Sequence, residues 1–259
     1  MLGNYEEFKK AVYQLIKLDL NAYKERQMKR RIDALITKHK ITSYTDFIQE
    51  IKQNTVLLDE FVNYLTINVS EFYRNPDQWK VLEEEIFPQL LKANGKSLKI
   101  WSAACSTGDE PYSLVMCLSK FVPLSNIKVI ATDIDKQIIE KAKKGEYNEK
   151  YIKGIPQEYL TKYFNKIDDK TYRISDEIKR CVEFYRHDLL KDPYPEGCHI
   201  IICRNVMIYF TEEAKTEIYK KFNESLKKDC YLFVGSTEQI IQAQELGFKS
   251  HKSFFYRKL

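Results

Sequence analysis

The sequence predicts an α/β protein: a Rossmann-like sheet with helices on both faces and a small β insertion, preceded by an all-helical domain. Three observations predict it. No strand-like run and no proline occurs before Pro76. Beyond that point short apolar runs alternate with helical stretches, the pattern of a parallel sheet covered on both sides. The first of those runs ends in a loop of small residues, where open α/β sheets bind their ligands.

The helical domain is read over residues 1–75. Phe8, Val12, Leu15 and Ile16 form one apolar stripe of helical period, and Met28, Ile32, Leu35 and Ile36 form a second. Ser43 or Thr45 can cap a third helix running through Ile51, and Leu57, Leu58, Phe61 and Leu65 mark a fourth. Residues 76–95 read as a linker helix, with Pro76 near its start and Gly95 near its end.

Residues 96–259 carry the sheet. LKIWSA (98–103) is an apolar run followed by ACSTG and a helix over 110–120, and IKVIATD (127–133) leads to a helix over 136–144. HIIIC (199–203) precedes a helix over 211–227, YLFVG (231–235) is a fourth run, and KSFFYRKL reads as a closing strand. TYRIS (171–175) is assigned to a small β-subdomain at about 165–184, and CVEFYR (181–186) to a return to the main sheet.

Composition excludes several classes. No apolar run approaches the roughly 18 residues of a membrane span, and the N-terminus lacks a secretory apolar region, so the chain reads as cytoplasmic. The six cysteines form no C-x-x-C pair and most sit in apolar runs, so they read as buried free thiols. The four histidines form no ligand cluster, so no metal site is expected. Net charge is only +5, too little to argue for nucleic acid. Its distribution says more: residues 24–40 hold seven basic and two acidic side chains, an excess equal to that of the whole chain.

The loop Ala103–Gly108 contains nothing larger than threonine. Small side chains let backbone amides approach a ligand at the start of the next helix. Asp133 ends the second strand, where a carboxylate can accept both ribose hydroxyls of a nucleoside, although it would equally suit a helix cap. Asp109 and Glu110 open the first helix of the sheet domain, where they would repel a pyrophosphate and suit a cationic ligand. S-adenosylmethionine, with its sulfonium and ammonium, fits that charge better than NAD.

TINVSEFYRN (66–75), IWSAACSTGDEPYSL (100–114), ATDID (131–135) and CRNVMIYF (203–210), in that order and spacing, resemble the chemotaxis receptor methyltransferases (CheR). The resemblance covers nearly the whole chain. It implies a class I methyltransferase sheet and methyl transfer from S-adenosylmethionine to glutamate carboxylates of chemotaxis receptors, with S-adenosylhomocysteine as product. Arg74 and Tyr209 map onto the methyl-transfer site. Asn68, Ser70, Arg74, Glu110, Asp133, Asp188, Leu189, Asn205 and Val206 map onto cofactor contacts. Asp188 stands where an asparagine is usual, Ser70 where a threonine is, and Asp109 where a second glutamate is.

The resemblance also gives the basic segment a role. Arg26, Lys29, Arg30 and Arg31 would meet the acidic methylation helices of the receptors; an ordinary solvated helix face is the plainer alternative. The chain is expected to act as a monomer without membrane insertion. NKIDDKTYRISDEIK lacks a glycine-rich hairpin loop, which favours an enzyme that does not tether to a receptor tail peptide. Two other readings stay open: a methyltransferase for a small molecule or nucleic acid, and a catalytically silent binding module. Neither explains the helical domain together with Arg74 and Tyr209.

Overall fold

The computed structural model describes residues 2–66, 68 and 70–259. Ile67 and Val69 of the TINVSEFYRN motif therefore lie outside the described residues. The chain divides into two compact units, residues 1–67 with 206–217, and residues 68–205 with 218–259.

In the first unit four helices follow one another: α1 (Tyr5–Ile16), α2 (Glu25–Lys38), α3 (Tyr44–Gln53) and α4 (Thr55–Thr66). Asn4 and Ser43 cap α1 and α3 with side-chain oxygens that accept from backbone amides of the first turn. The apolar stripes meet in a core where Val12, Ile32, Leu35, Ile36, Phe47 and Phe61 are fully buried. Phe47 and Phe61 pack edge to face at 5.2 Å. Residues 206–217 join this unit through backbone bonds that an apolar-run reading does not reveal. Lys24 N–H donates to Tyr209 O at 2.8 Å, and Thr211 N–H to Ala22 O at 2.9 Å. The unit boundary at 67/68 precedes the composition change at Pro76, because Asn68 and residues 70–75 belong with the sheet unit.

The second unit begins with α5 (Pro76–Val81) and α6 (Phe87–Asn94), joined by a wider π turn at Leu82–Ile86. Pro88, which cannot donate to the helix ladder, stands just after that turn. Then come β1 (Lys99–Ala103), α7 (Asp109–Leu118), β2 (Lys128–Asp133), α8 (Lys136–Lys144), β3 (Glu146–Asn148), α9 (Glu149–Ile152), α10 (Gln157–Tyr163), β4 (Phe164–Lys166), β5 (Thr171–Ile174), α11 (Asp176–Lys179), β6 (Val182–Arg186) and β7 (Cys198–Cys203). The chain closes with α12 (Glu212–Ser225), β8 (Leu226–Val234), β9 (Phe248–Lys252) and β10 (Phe255–Lys258).

The main sheet has the order β6-β2-β1-β7-β8-β10-β9. Its first five strands are parallel, β10 runs antiparallel to β8, and β9 pairs antiparallel with β10. Every residue of β7 is buried, as a strand covered on both faces requires. From β1 the chain moves outward through β2 to β6, then returns on the other side of β1 through β7 to β8. The order therefore reverses between β1 and β7, and their carboxyl ends flank the crevice where such sheets bind ligands.

The expected strands at 98–103, 127–133, 199–203 and 231–235 are present within a residue or two, except that the last begins earlier, at Leu226. The closing strand is a hairpin, β9–β10, rather than a single strand. The insertion is a separate sheet of order β3-β5-β4, so it starts at Glu146, well before residue 165. CVEFYR returns to the main sheet as β6, as its alternation suggested. All six cysteines are buried free thiols. Among the described residues, no helix is long and apolar enough to cross a membrane.

Candidate cofactor and methyl-transfer site

The loop after β1 is held in an unusual backbone path. Ala104 and Ser106 are left-handed at φ 62° and 49°, and Gly108 follows at φ 87°. A left-handed non-glycine residue costs on the order of 1–2 kcal/mol, so other contacts must fix this loop. Cys105 N–H donates to Thr132 O at 2.9 Å, and Ser106 N–H to the Asp133 carboxylate at 2.9 Å. Gly108 is required for space as well: a Cβ there would stand 3.0 Å from the Ala142 Cβ. Among the described residues the buried Ser106 hydroxyl has no hydrogen-bond partner.

Asp133 caps the end of β2 and is 6% exposed. Besides Ser106 N–H it accepts from Asp135 N–H at 3.1 Å. Burial pushes its carboxyl up to about 6, against the opposing pull of these backbone donors. Asp135 caps α8 by accepting from Gln137 and Ile138 N–H, and its other oxygen accepts from the Asn68 amide at 2.9 Å. Asn68 is thereby fixed against the same edge of the sheet. Asp188 and Leu189 follow β6, and His187 N–H donates to Asp133 O at 2.9 Å, which ties this stretch to the end of β2. One Asp188 oxygen accepts from Leu190 N–H at 2.9 Å.

Asp109 and Glu110 open α7. Asp109 is 1% exposed, accepts from the Thr107 hydroxyl, and burial pushes its carboxyl up to about 6. Glu110 accepts from the Ser102 hydroxyl at 2.8 Å and faces Arg204 at 3.6 Å. Burial raises the Glu110 carboxyl, and the Arg204 guanidinium beside it opposes that rise.

Arg204 was missed by the sequence reading. Its guanidinium donates to Arg74 O at 2.9 Å, Asn75 Oδ1 at 2.8 Å and Gln78 Oε1 at 3.1 Å, and lies 4.7 Å from the centre of the Phe233 ring. It therefore pins residues 74–78 to the end of β7. The only sequence signal was its place in CRNVMIYF, directly after a buried strand. Ser70, Arg74, Ser106, Glu110, Arg204 and Asn205 line one hollow of about 40 Å³. Among the described residues no hydrogen bond or ion pair holds the Arg74 guanidinium. A second cavity of about 370 Å³ is lined by Asn68, Ser70, Thr107, Lys141 and Tyr147 among others. Ser70 belongs to both.

Val206 and Tyr209 belong to the helical unit. There Tyr209 stands with Lys24, Gln27, Met28 and Arg31 of the basic segment around one small depression. The four basic residues proposed for recognition are not equivalent. Arg26 and Arg30 are exposed, with no bond or ion pair among the described residues. Lys29 pairs with Asp33 at 3.0 Å, and Arg31 donates to Tyr64 O and stacks on the Tyr64 ring at 4.7 Å. Half of that set is thus engaged in holding the helices together.

Residues 68–255 match the family described as CheR methyltransferase, SAM binding domain, and residues 3–66 match the CheR methyltransferase all-alpha domain. The chain is 42% identical to a chemotaxis protein methyltransferase of Listeria monocytogenes over 98% of this chain and 97% of that one. It is 31% identical to the corresponding protein of Borreliella burgdorferi over 89% of this chain and 86% of that one. A chemotaxis protein methyltransferase 1 of Pseudomonas aeruginosa is 31% identical over 92% of this chain and 90% of its own.

The division among the basic residues is measurable by urea unfolding. Arg31→Ala should lower stability by about 1–2 kcal/mol through its lost hydrogen bond and ring contact. Arg26→Ala and Arg30→Ala should stay within about 0.5 kcal/mol of the parent. An equal loss at Arg26 would contradict the assignment of Arg26 to free surface.

Proposed function

Because this chain belongs to the CheR methyltransferase family, we propose that it methylates glutamate side chains of chemotaxis receptors, giving methyl esters and S-adenosylhomocysteine. The coarser statement needs no proposal: the chain is an S-adenosylmethionine-dependent methyltransferase of chemotaxis. What supports the finer one is Arg74, whose guanidinium has no hydrogen bond or ion pair among the described residues and which lines the hollow with Ser106, Glu110 and Asn205. A cation so placed suits an acceptor carboxylate.

The residues fit the cofactor. The loop of small residues, its unanswered Ser106 hydroxyl and the carboxylates of Glu110 and Asp133 suit a ligand that is both a nucleoside and a cation. When bound, S-adenosylmethionine supplies a methyl group already activated by its sulfonium. In this assignment Asp133 accepts the ribose hydroxyls, Asp188 and Leu189 receive the adenine, and Glu110 faces the ammonium. Asn68, Ser70, Asn205 and Val206 complete the cofactor contacts.

The acceptor side asks little of acid–base chemistry. A glutamate carboxylate in water titrates at about 4.3 and is ionised at neutral pH, so no general base is required. The enzyme must align the carboxylate with the methyl carbon and strip part of its water. Arg74 is assigned to hold the carboxylate and Tyr209 to orient it through its hydroxyl. The exposed Arg26 and Arg30 are assigned to the acidic helix that carries the acceptor, with Lys29 and Arg31 behind them. The receptor would be met by a monomer in the cytoplasm, without contact to the receptor tail.

The deciding experiment is transfer of radiolabelled methyl to receptor-containing membranes, followed by mild alkali. Label in the receptor band, released as volatile methanol, is expected; cofactor binding without incorporation would point to another acceptor. Tyr209→Phe and Arg74→Ala should lower turnover by about ten- to hundredfold, with less effect on affinity for S-adenosylhomocysteine. An unchanged rate in the Phe variant would remove the hydroxyl from the mechanism.

A pH dependence follows from Asp133. Its folded-state pKa of about 6 lies above the ordinary carboxylate value. Hydroxyl donors of the ribose would favour the ionised form, so bound cofactor lowers that pKa. Affinity is then full above the cofactor-free value and falls as pH drops through it, by up to about tenfold per unit. Calorimetry with S-adenosylhomocysteine across this range should show the fall, and Asp133→Asn should flatten it. Affinity that holds steady or rises toward acid pH would refute the ribose role.

A further inference from the structure

Where β7 and β8 end, two backbone amides run past the last ladder pair. Cys203 pairs with Val234, and the chains then diverge into Arg204–Asn205 on one side and Gly235 on the other. Amides at such a divergence lose their strand partners and must find others. Here both find the same atom. Glu238 Oε2 accepts from Asn205 N–H at 2.7 Å and from Gly235 N–H at 2.8 Å.

Glu238 is 5% exposed, so its charge is withdrawn from water, a costly placement unless donors satisfy it. It sits on a tight turn in which its own N–H donates to Gly235 O at 3.0 Å. The approach is close enough to dictate the neighbouring residue. A Cβ on Gly235 would stand 2.4 Å from Glu238 Oε2, 2.9 Å from Asn205 N and 3.2 Å from Asn205 Nδ2. Asn205 itself is left-handed at φ 61°, a conformation that needs external support in a non-glycine residue. The clamp thus holds the one turn that presents Arg204 and Asn205 to the hollow shared with Arg74 and Glu110.

We propose that Glu238 is a positioning residue for cofactor binding, a buried acceptor that fixes the Asn205 turn by bridging the ends of β7 and β8. The inference rests on the reading of Asn205 as a cofactor contact. In this role Glu238 acts through backbone amides, and its reach matters more than its charge. A glutamine keeps the reach, since its amide oxygen can accept both N–H groups. An aspartate keeps the charge and is one methylene too short.

Calorimetry with S-adenosylhomocysteine on the full chain separates these. Glu238→Gln should bind within about threefold of the parent, whereas Glu238→Asp should lose at least about tenfold through two unsatisfied amides. Near-UV circular dichroism confirms that each variant is folded. At saturating S-adenosylmethionine the Asp variant should regain most of its turnover, a split between cofactor KM and kcat that general loosening would not give. Should the Asp variant not fold, Gly235→Ala, which displaces the carboxylate without removing it, carries the same expected loss. Parent-like binding by the Asp variant, or by Gly235→Ala where it takes that variant's place, overturns the proposal. So does a Gln variant that binds at least about tenfold more weakly than the parent, because charge would then be the operative property. The calorimetric readout uses product binding alone, so that arm is independent of which acceptor the enzyme methylates. A parent chain that bound no S-adenosylhomocysteine would instead sink the cofactor-site reading beneath it.

Discussion

The sheet unit's site depends on the burial of one guanidinium. Arg204 leaves β7 with its side chain 4% exposed, and Glu110, Arg74, Asn75 and Gln78 are arranged around that cation. Burial of a charge is tolerated only with paired, well-placed acceptors. Arg204 collects them from two stretches: Glu110 at the start of α7, and the segment 74–78 through the Arg74 carbonyl and the side chains of Asn75 and Gln78. One nitrogen, Nε, remains unanswered. The consequence is structural. The segment 74–78 is held against the carboxyl end of β7, and Arg74 is placed with its carbonyl engaged and its guanidinium without a hydrogen bond or ion pair among the described residues.

That arrangement sets the electrostatics. Carboxylates of Asp109, Glu110, Asp133 and Glu238 are all withdrawn from water along one edge of the sheet unit, and burial raises the first three. Arg204 answers Glu110 directly, while backbone amides answer Asp133 and Glu238. A site with this excess of buried negative charge disfavours phosphate and favours a cation. On the proposed assignment the sulfonium and ammonium of S-adenosylmethionine would supply it. The strained loop at Ala104 and Ser106 belongs to the same edge: its amides at Cys105 and Ser106 donate to Thr132 O and the Asp133 carboxylate.

What was legible in the sequence follows a physical line. Strands β1, β2, β7 and β8 could be read because buried parallel strands must be continuous apolar runs, and α1 to α4 because their stripes repeat at helical spacing. Asp133 was legible because its position, at the end of a strand, is itself a sequence property. Arg204 and Glu238 were not. Arg204 meets its partners 126 to 130 residues away, and Glu238 meets Asn205 at a separation of 33. Nothing local distinguishes them from surface charges. The same limit blurred the basic helix: Asp33 is visible from Lys29 at one helical turn, but the Tyr64 carbonyl that occupies Arg31 is 33 residues distant. The three-stranded subdomain began early because β3 has only three residues, too few to show a period.

A methyltransferase acting on a carboxylate faces an unusual division of labour. Its nucleophile is already ionised and its electrophile already activated, so side chains that move protons would add nothing. The fold's resources go into holding charges still. Arg204 fixes the segment that bears Arg74, Asp133 fixes the loop that bears Ser106, and Glu238 fixes the turn that bears Asn205. Each is a buried charge. Asp133 and Glu238 are answered by backbone amides, which cannot rotate away as side chains can, and Arg204 by the Arg74 carbonyl together with three side chains. Preorganisation of this kind costs folding stability, because several charges are desolvated and several residues are held left-handed. The apolar layers on the two faces of the sheet, with Trp101 and Phe222 on one and Phe233 on the other, all fully buried, supply the surplus against which that cost is set.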